Sequence, residues 1–177
     1  MRTITYEQAG MEAVVQEMRR DSKTLHLATQ APPALIAEFG AERVRATPIA
    51  ESTFTGMAIG AAASGYRPIV NWGMVTFSFV AMDQVVNQAA KIHYMFGGQA
   101  SFPIAIRTSV GGGTQLAAQH CQSAYSMFMN VAGLKMVIPS TPYDMKGLLK
   151  SVIRDNNPVI CFESRRLMAL EGEVPDG

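Results

Sequence analysis

The spacing of hydrophobic positions along this chain changes from segment to segment, and the changes mark out its elements. From Tyr6 to Arg20, Ala9, Ala13, Val14 and Met18 recur at helical intervals, with Thr5 in place to cap the helix. Short apolar runs at 24–29, 44–47, 68–72, 102–107, 135–138 and 159–163 predict six strands. Between them, 34–39, 53–64, 81–94, 124–131 and a stretch running from Ser140 to about Arg154 predict helices. The helix at 53–64 is rich in Gly and Ala, which lets it pack close to another backbone. The helix at 81–94 shows a clear apolar side of Met82, Val85, Val86, Ala89, Ala90 and Ile92, and Gly97-Gly98 stops it. Several strands are continuous apolar runs, as in parallel sheets buried on both faces. Alternation of such strands with helices predicts an α/β fold, doubly wound, with a mostly parallel six-stranded sheet and helices on both faces. The stretch 165–177 turns polar and reads as a linker or tail after a domain at 1–164.

Composition narrows the function. The chain has 177 residues, enough for one domain or two small ones. Hydrophobic residues make up 48% and charged residues only 16%, where about 25% charged is usual. The apolar excess predicts an interface with another chain. Fifteen basic against fourteen acidic residues leave a net charge of +1 without a basic stripe, which argues against nucleic acid as a partner. Two cysteines, Cys121 and Cys161, are too few for a disulfide scaffold or zinc ribbon. No run reaches the roughly 18 apolar residues a membrane span needs, and residues 1–7 hold no apolar signal core. The expectation is a soluble, cytoplasmic protein.

Ligands of doubly wound folds bind beyond the carboxyl ends of the strands. That directs attention to the loops around 47–53, 73–80, 108–120 and 140–143. Glu51 lies in an otherwise uncharged window, Thr47-Pro48-Ile49-Ala50-Glu51-Ser52-Thr53-Phe54, ahead of the small-residue helix. A carboxyl in apolar surroundings can hold or pass a proton near neutrality; a carboxylate at a helix N-terminus is also explained by the macrodipole alone. His120 follows a glycine-rich loop, where it can serve as acid, base or polar contact. Its neighbour Cys121 invites a thiolate–imidazole pair, but adjacent residues at a helix start point about 100° apart. His26 falls inside a strand pattern and reads as a core histidine, and His93 as a solvated helix residue. Gly111-Gly112-Gly113 could cradle a phosphate, yet it lacks the G-x-G-x-x-G spacing and a Walker lysine, which favours a plain loop. Asp155-Asn156-Asn157 reads as a turn, of the oxygen-rich kind that also holds cations.

Longer strings carry a resemblance. They are R-V-R-A-T-P-I-A-E at 43–51, G-A-A-A-S-G-Y-R-P-I-V at 60–70, D-Q-V-V-N-Q-A-A-K at 83–91, A-A-Q-H-C-Q-S at 117–123, G-L-K-M-V-I-P-S-T-P-Y-D-M-K-G-L-L at 133–149 and I-R-D-N-N-P-V-I at 153–160. In these the chain resembles the pyrimidine-binding domain of the β subunits of thiamine-diphosphate-dependent 2-oxo acid dehydrogenases, of the pyruvate and acetoin dehydrogenase kind, with a transketolase-like thiamine-diphosphate-binding fold. The resemblance implies a β-type component of an enzyme that cleaves a 2-oxo acid or related ketone and transfers the acyl group. It implies that Glu51 hydrogen-bonds a ring nitrogen of the cofactor's aminopyrimidine and favours the imino tautomer, which takes a proton from the thiazolium carbon. It places Phe77 against the pyrimidine ring and His120 facing the substrate and the acyl acceptor. It places Ile104, Val152, Asp155 and Asn157 around a structural potassium ion, held partly by backbone carbonyls.

Departures from the family pattern qualify this. Residues 28–33 run directly from strand to helix where relatives carry a G-E-(D/E)-V segment and a glycine-rich loop. Asn71 stands where relatives have glutamate, and Thr76 where they have Asp or Asn. The family's second, C-terminal domain is missing from this sequence. There is no G-D-G motif to hold Mg²⁺ and the diphosphate. The resemblance therefore implies a heterotetramer or larger complex. In it an α-type chain with a G-D-G…N-N motif holds Mg²⁺, another chain supplies the C-terminal domain unless that domain is lost, and an acyl-carrier or lipoyl partner takes the product. The alternative is a non-catalytic assembly or regulatory relative that keeps the fold.

Overall fold

A computed structural model describes residues 1–112 and 115–176. Six strands form one sheet, every neighbouring pair parallel: β2 (Thr24–Ala28), β3 (Val44–Ala46), β4 (Arg67–Met74), β5 (Ala105–Val110), β6 (Lys135–Val137) and β7 (Val159–Ser164). Their order is β3-β2-β4-β5-β7-β6. Side chains alternate between the two faces. Ile69, Ala105, Val159 and Cys161 pack under α1 (Tyr6–Arg20), α2 (Pro33–Phe39) and α7 (Pro142–Arg154). Leu27, Val70, Trp72, Ile106, Ile160 and Phe162 pack under α3 (Glu51–Ala63), the segment 75–95 and α6 (Tyr125–Met129).

Local chemistry explains where the elements begin. Helix α1 starts at Thr5 because the Thr5 hydroxyl accepts from the Gln8 N–H, while the Gln8 side chain accepts from the Thr5 N–H. Helix α7 starts at Thr141, whose hydroxyl accepts from the Asp144 N–H, with Pro142 in the first turn. The strand predicted from 102 begins at 105, since Pro103 has no N–H for a ladder and Phe102 donates to the Asn156 carbonyl instead.

Three regions differ from the hydrophobic pattern. The helix expected at 81–94 is a 3₁₀ turn at Val75–Ala81, a π-helical turn at Gln84–Ala89 and a short α4 (Ile92–Met95). The widened turn lies where the chain at Gly133 presses on the Ala90 carbonyl and Lys91 Nζ donates to the Ala132 carbonyl. The stretch 165–177 contains a 3₁₀ turn (Arg165–Leu167) and β8 (Glu171–Val174), which pairs antiparallel with an unanticipated β1 (Arg2–Thr5). Val174 is fully buried, and the buried Lys146 donates to the Pro175 carbonyl. Finally, β5 and β7 carry a buried ion pair: Arg107 Nε and Nη2 donate to the two Glu163 carboxylate oxygens at 2.5 and 2.9 Å.

Candidate active site

Three of the residues singled out in the sequence lie at or beyond the carboxyl ends of the strands. Glu51 opens α3 four residues after Thr47, which itself follows β3. Its N-cap residue Ala50 has no side chain to satisfy the first turn, so the helix presents free N–H groups and its positive end there. Glu51 is 5% exposed, and its carboxylate makes no hydrogen bond or ion pair with any described residue. Helix α3 is held against the sheet by Trp72 Nε1, which donates to Thr55 Oγ1 at 3.0 Å. A close approach to the next segment occurs at Gly56, where a Cβ would stand 3.2 Å from Gln84 Oε1.

Phe77 lies in the 3₁₀ turn that comes after β4. His120 ends the short α5 (Ala117–His120) in the loop after β5. The structure brings these two together: their rings meet edge to face with centroids 5.4 Å apart. His120 is half-buried, and its Nδ1 is buried without a hydrogen-bond partner among the described residues. The backbone leading to it is strained, since Gln115 and Ala117 hold φ of 55° and 59°, a region side-chain-bearing residues rarely adopt and one that clusters at functional sites. The loop is closed at its base by Gly111 N–H to the Gln122 carbonyl, and Arg166 Nε donates to the Gly112 carbonyl at 3.0 Å. Gly113 of the glycine triplet lies outside the described residues. Cys121 is half-buried beside His120, whereas Cys161 is fully buried, and its thiol is pushed up by burial and by Glu163 against the opposing pull of Arg107.

Three hydroxyls belong to the same end of the sheet, and of these the sequence marked only Thr76, as a departure from the family pattern. Thr47, Thr76 and Thr108, at or near the carboxyl ends of β3, β4 and β5, each bury an Oγ1 with no partner among the described residues. Buried polar groups are normally satisfied; these three hydroxyls and His120 Nδ1 belong to this end of the sheet, while Glu12, Gln16, Thr24 and His26 carry further such atoms elsewhere. A small apolar cavity of about 120 Å³, lined by Thr47, Pro48, Ala50, Thr53, Phe54 and Met57, adjoins the first turns of α3. Thr47 and Thr108 carry no sequence signal but position, since one closes and the other follows an apolar run.

Ile104, Val152, Asp155 and Asn157 lie at the opposite end of the sheet. The Ile104 carbonyl accepts from Val159 N–H at 2.9 Å, and the Val152 carbonyl from Asp155 N–H at 3.3 Å. Asp155 Oδ1 accepts from the Asn157 N–H and side-chain amide, and Oδ2 from Lys135 Nζ at 2.7 Å. Burial works against the charged carboxyl, but the hydrogen bonds from Lys135 and Asn157 outweigh it and hold Asp155 below the usual carboxylate range. Among the described residues, no three His, Cys, Asp or Glu side chains converge to hold a metal ion.

The same strands and loops occur in known proteins. Residues 2–170 match the family described as transketolase, pyrimidine binding domain. The chain belongs to that family. It is 44% identical over 195 residues to the acetoin:2,6-dichlorophenolindophenol oxidoreductase subunit beta of Cupriavidus necator, covering 99% of this chain and 57% of that protein. It is 43% identical over 185 residues to the 2-oxoisovalerate dehydrogenase subunit beta of Bacillus subtilis, again over 99% of this chain and 57% of that one. The chain thus spans little more than half the length of these relatives. Among solved structures, a split-gene transketolase described as an inactive β4 tetramer superposes with a TM-score of 0.75 at 18% identity, over 92% of this chain and 52% of the other. That likeness establishes the transketolase-like pyrimidine-domain fold.

Proposed function

We propose that the chain is the pyrimidine-binding, β-type component of a thiamine-diphosphate-dependent enzyme that cleaves a 2-oxo acid or related ketone and transfers the acyl group. The observation that carries this reading is Glu51: a residue only 5% exposed whose carboxylate has no partner among the described residues, at a helix N-terminus and at the same end of the sheet as the Phe77–His120 pair. The orphaned hydroxyls and imidazole fit a polar heterocycle, which would supply the donors and acceptors they lack. When bound, the cofactor supplies the nucleophilic carbon and the electron sink. Glu51 holds a proton at a ring nitrogen of the aminopyrimidine. Phe77 packs against the ring and excludes water. His120, whose Nδ1 has no partner among the described residues, contacts the substrate and the acyl acceptor and moves a proton there.

An α-type chain with the G-D-G…N-N motif holds Mg²⁺ and the diphosphate, the assembly is a heterotetramer or larger, and a lipoyl or other acyl carrier takes the product. A second cation fits the far end of the sheet. A carbonyl oxygen has two lone pairs, and those of Ile104, Val152 and Asp155 each accept a single hydrogen bond from the described residues. With Asn157 they would hold a potassium ion. The Asp155 carboxylate is already engaged by Lys135.

The test is Glu51→Gln in the reconstituted complex. Assembly should persist and turnover fall by several orders of magnitude, with hydrogen–deuterium exchange at the thiazolium carbon lost. His120→Ala in the same complex should keep that exchange and slow a later step by about 10²–10⁴-fold. Near-normal turnover of Glu51→Gln would leave the non-catalytic assembly role as the better reading.

A further inference from the structure

Gly73 is the point on which the Phe77 turn hangs. It holds φ +76 at the end of β4, a conformation glycine adopts without the steric cost that a side chain brings. Both of its backbone polar groups are taken by side chains: its N–H donates to Asn71 Oδ1 at 2.9 Å, and its carbonyl accepts from Ser109 Oγ at 2.9 Å. The β4–β5 register breaks here, because Asn71 stands opposite Arg107 while Met74 stands opposite Ser109. Three steps along β4 thus match two along β5. An extra residue of this kind bends a strand and re-aims the chain beyond it. The segment beyond it is the turn Val75–Ala81, which carries Phe77. Gly73 also lies close to the Phe77 ring, with its Cβ position 3.8 Å away. Phe77 in turn meets His120.

In a regular strand the ladder fixes the backbone. At Gly73, where the register shifts, two side chains hold the backbone as well. Asn71 acts from within β4, as asparagine does in tight turns when its side chain caps an N–H two residues on. Ser109 acts from β5, the strand whose far end leads into the loop of His120. A single hydroxyl therefore ties the two site loops to each other.

We infer that Asn71 and Ser109 are positioning residues that hold Gly73 in its left-handed conformation and so set the Phe77 ring against His120. The inference rests on the reading of Phe77 and His120 as site residues, and its test separates the two. In the full chain without cofactor, the ring protons of His120 are shifted by the facing Phe77 ring. They can be assigned by substituting each of the three histidines in turn. Phe77→Leu gives the value without that contact. Ser109→Ala and Asn71→Leu should each move the His120 resonances towards the Phe77→Leu value, and Ser109→Thr and Asn71→Asp should bring them back. In the assembled complex, Ser109→Ala should raise the cofactor concentration for half-maximal activity by roughly fivefold, the size of one lost hydrogen bond, and Ser109→Thr should restore it. His120 resonances that stay at the wild-type position in both Ser109→Ala and Asn71→Leu would overturn the inference. Resonances that move and are rescued, with an unchanged cofactor requirement even in Phe77→Leu, would uphold the positioning and instead remove Phe77 from the cofactor site.

Discussion

His26 lies on β2 opposite Val44 and Ile69, on the sheet face covered by α1, α2 and α7, and it is 1% exposed. Burial, and then the nearby Arg107 charge, lower its pKa from 6.5 to about 4. The unfolded chain takes up a proton near 6.5, while the folded chain does not until near 4. The contribution of neutral His26 to stability is therefore complete above pH 6.5 and is lost as the pH falls towards 4, by roughly 3 kcal/mol in all. Urea midpoints compared between neutral and mildly acidic pH should fall less steeply in His26→Leu than in the wild-type chain; parallel curves would refute the assignment. The sequence told enough to read His26 as a core residue, since a strand pattern surrounds it. It gave no hint that Arg107 and Glu163, 56 positions apart, meet as a buried pair, because pairing across strands depends on sheet order, which local patterning does not encode. Glu51 was legible as a carboxylate in an uncharged window. Its lack of any partner among the described residues emerges only from the three-dimensional packing.

Elements with their own capping chemistry were read from sequence almost to the residue, and α1 and α7 are the clearest cases. Elements that owe their shape to a neighbour were not. The segment 84–95 has a helical apolar side, yet it widens where the 130s loop packs on it. Gly133 makes that contact possible: it holds φ +91, and a Cβ there would overlap the Ala90 carbonyl oxygen. Gly65 also holds a left-handed φ, of +87, but faces open space. Gly65→Ala should cost about 1–2 kcal/mol, the price of the left-handed backbone. Gly133→Ala should cost at least about 2 kcal/mol more, because backbone must move as well. Equal denaturant midpoints for the two variants would show that the close approach contributes nothing. Strands β1 and β8 were missed for a similar reason. Each has four residues, and only Ile4 and Val174 among them are large and apolar, too few for a period-2 signal.

At the scale of the whole molecule, the proposed half-site is flanked in sequence by exposed apolar residues. Ile49, Val80 and Leu116 are 86%, 66% and 36% exposed, and each stands within four residues of Glu51, Phe77 or His120. Such a surface agrees with the 48% hydrophobic composition and with the proposed partner that completes the site. The chain alone should then bind thiamine diphosphate poorly whether or not Mg²⁺ is added, and calorimetry showing tight Mg²⁺-dependent binding to it would contradict the split site. No helix among the described residues is long and apolar enough to cross a membrane. The pairing of β1 with β8 sets Arg2 beside Val174, so the path of the backbone enters and leaves this module at one spot. A polypeptide built that way behaves like a bead on a looped thread. It can be spliced into a longer protein, or have its two ends sewn together and be reopened in an exposed turn, without its sheet having to come apart.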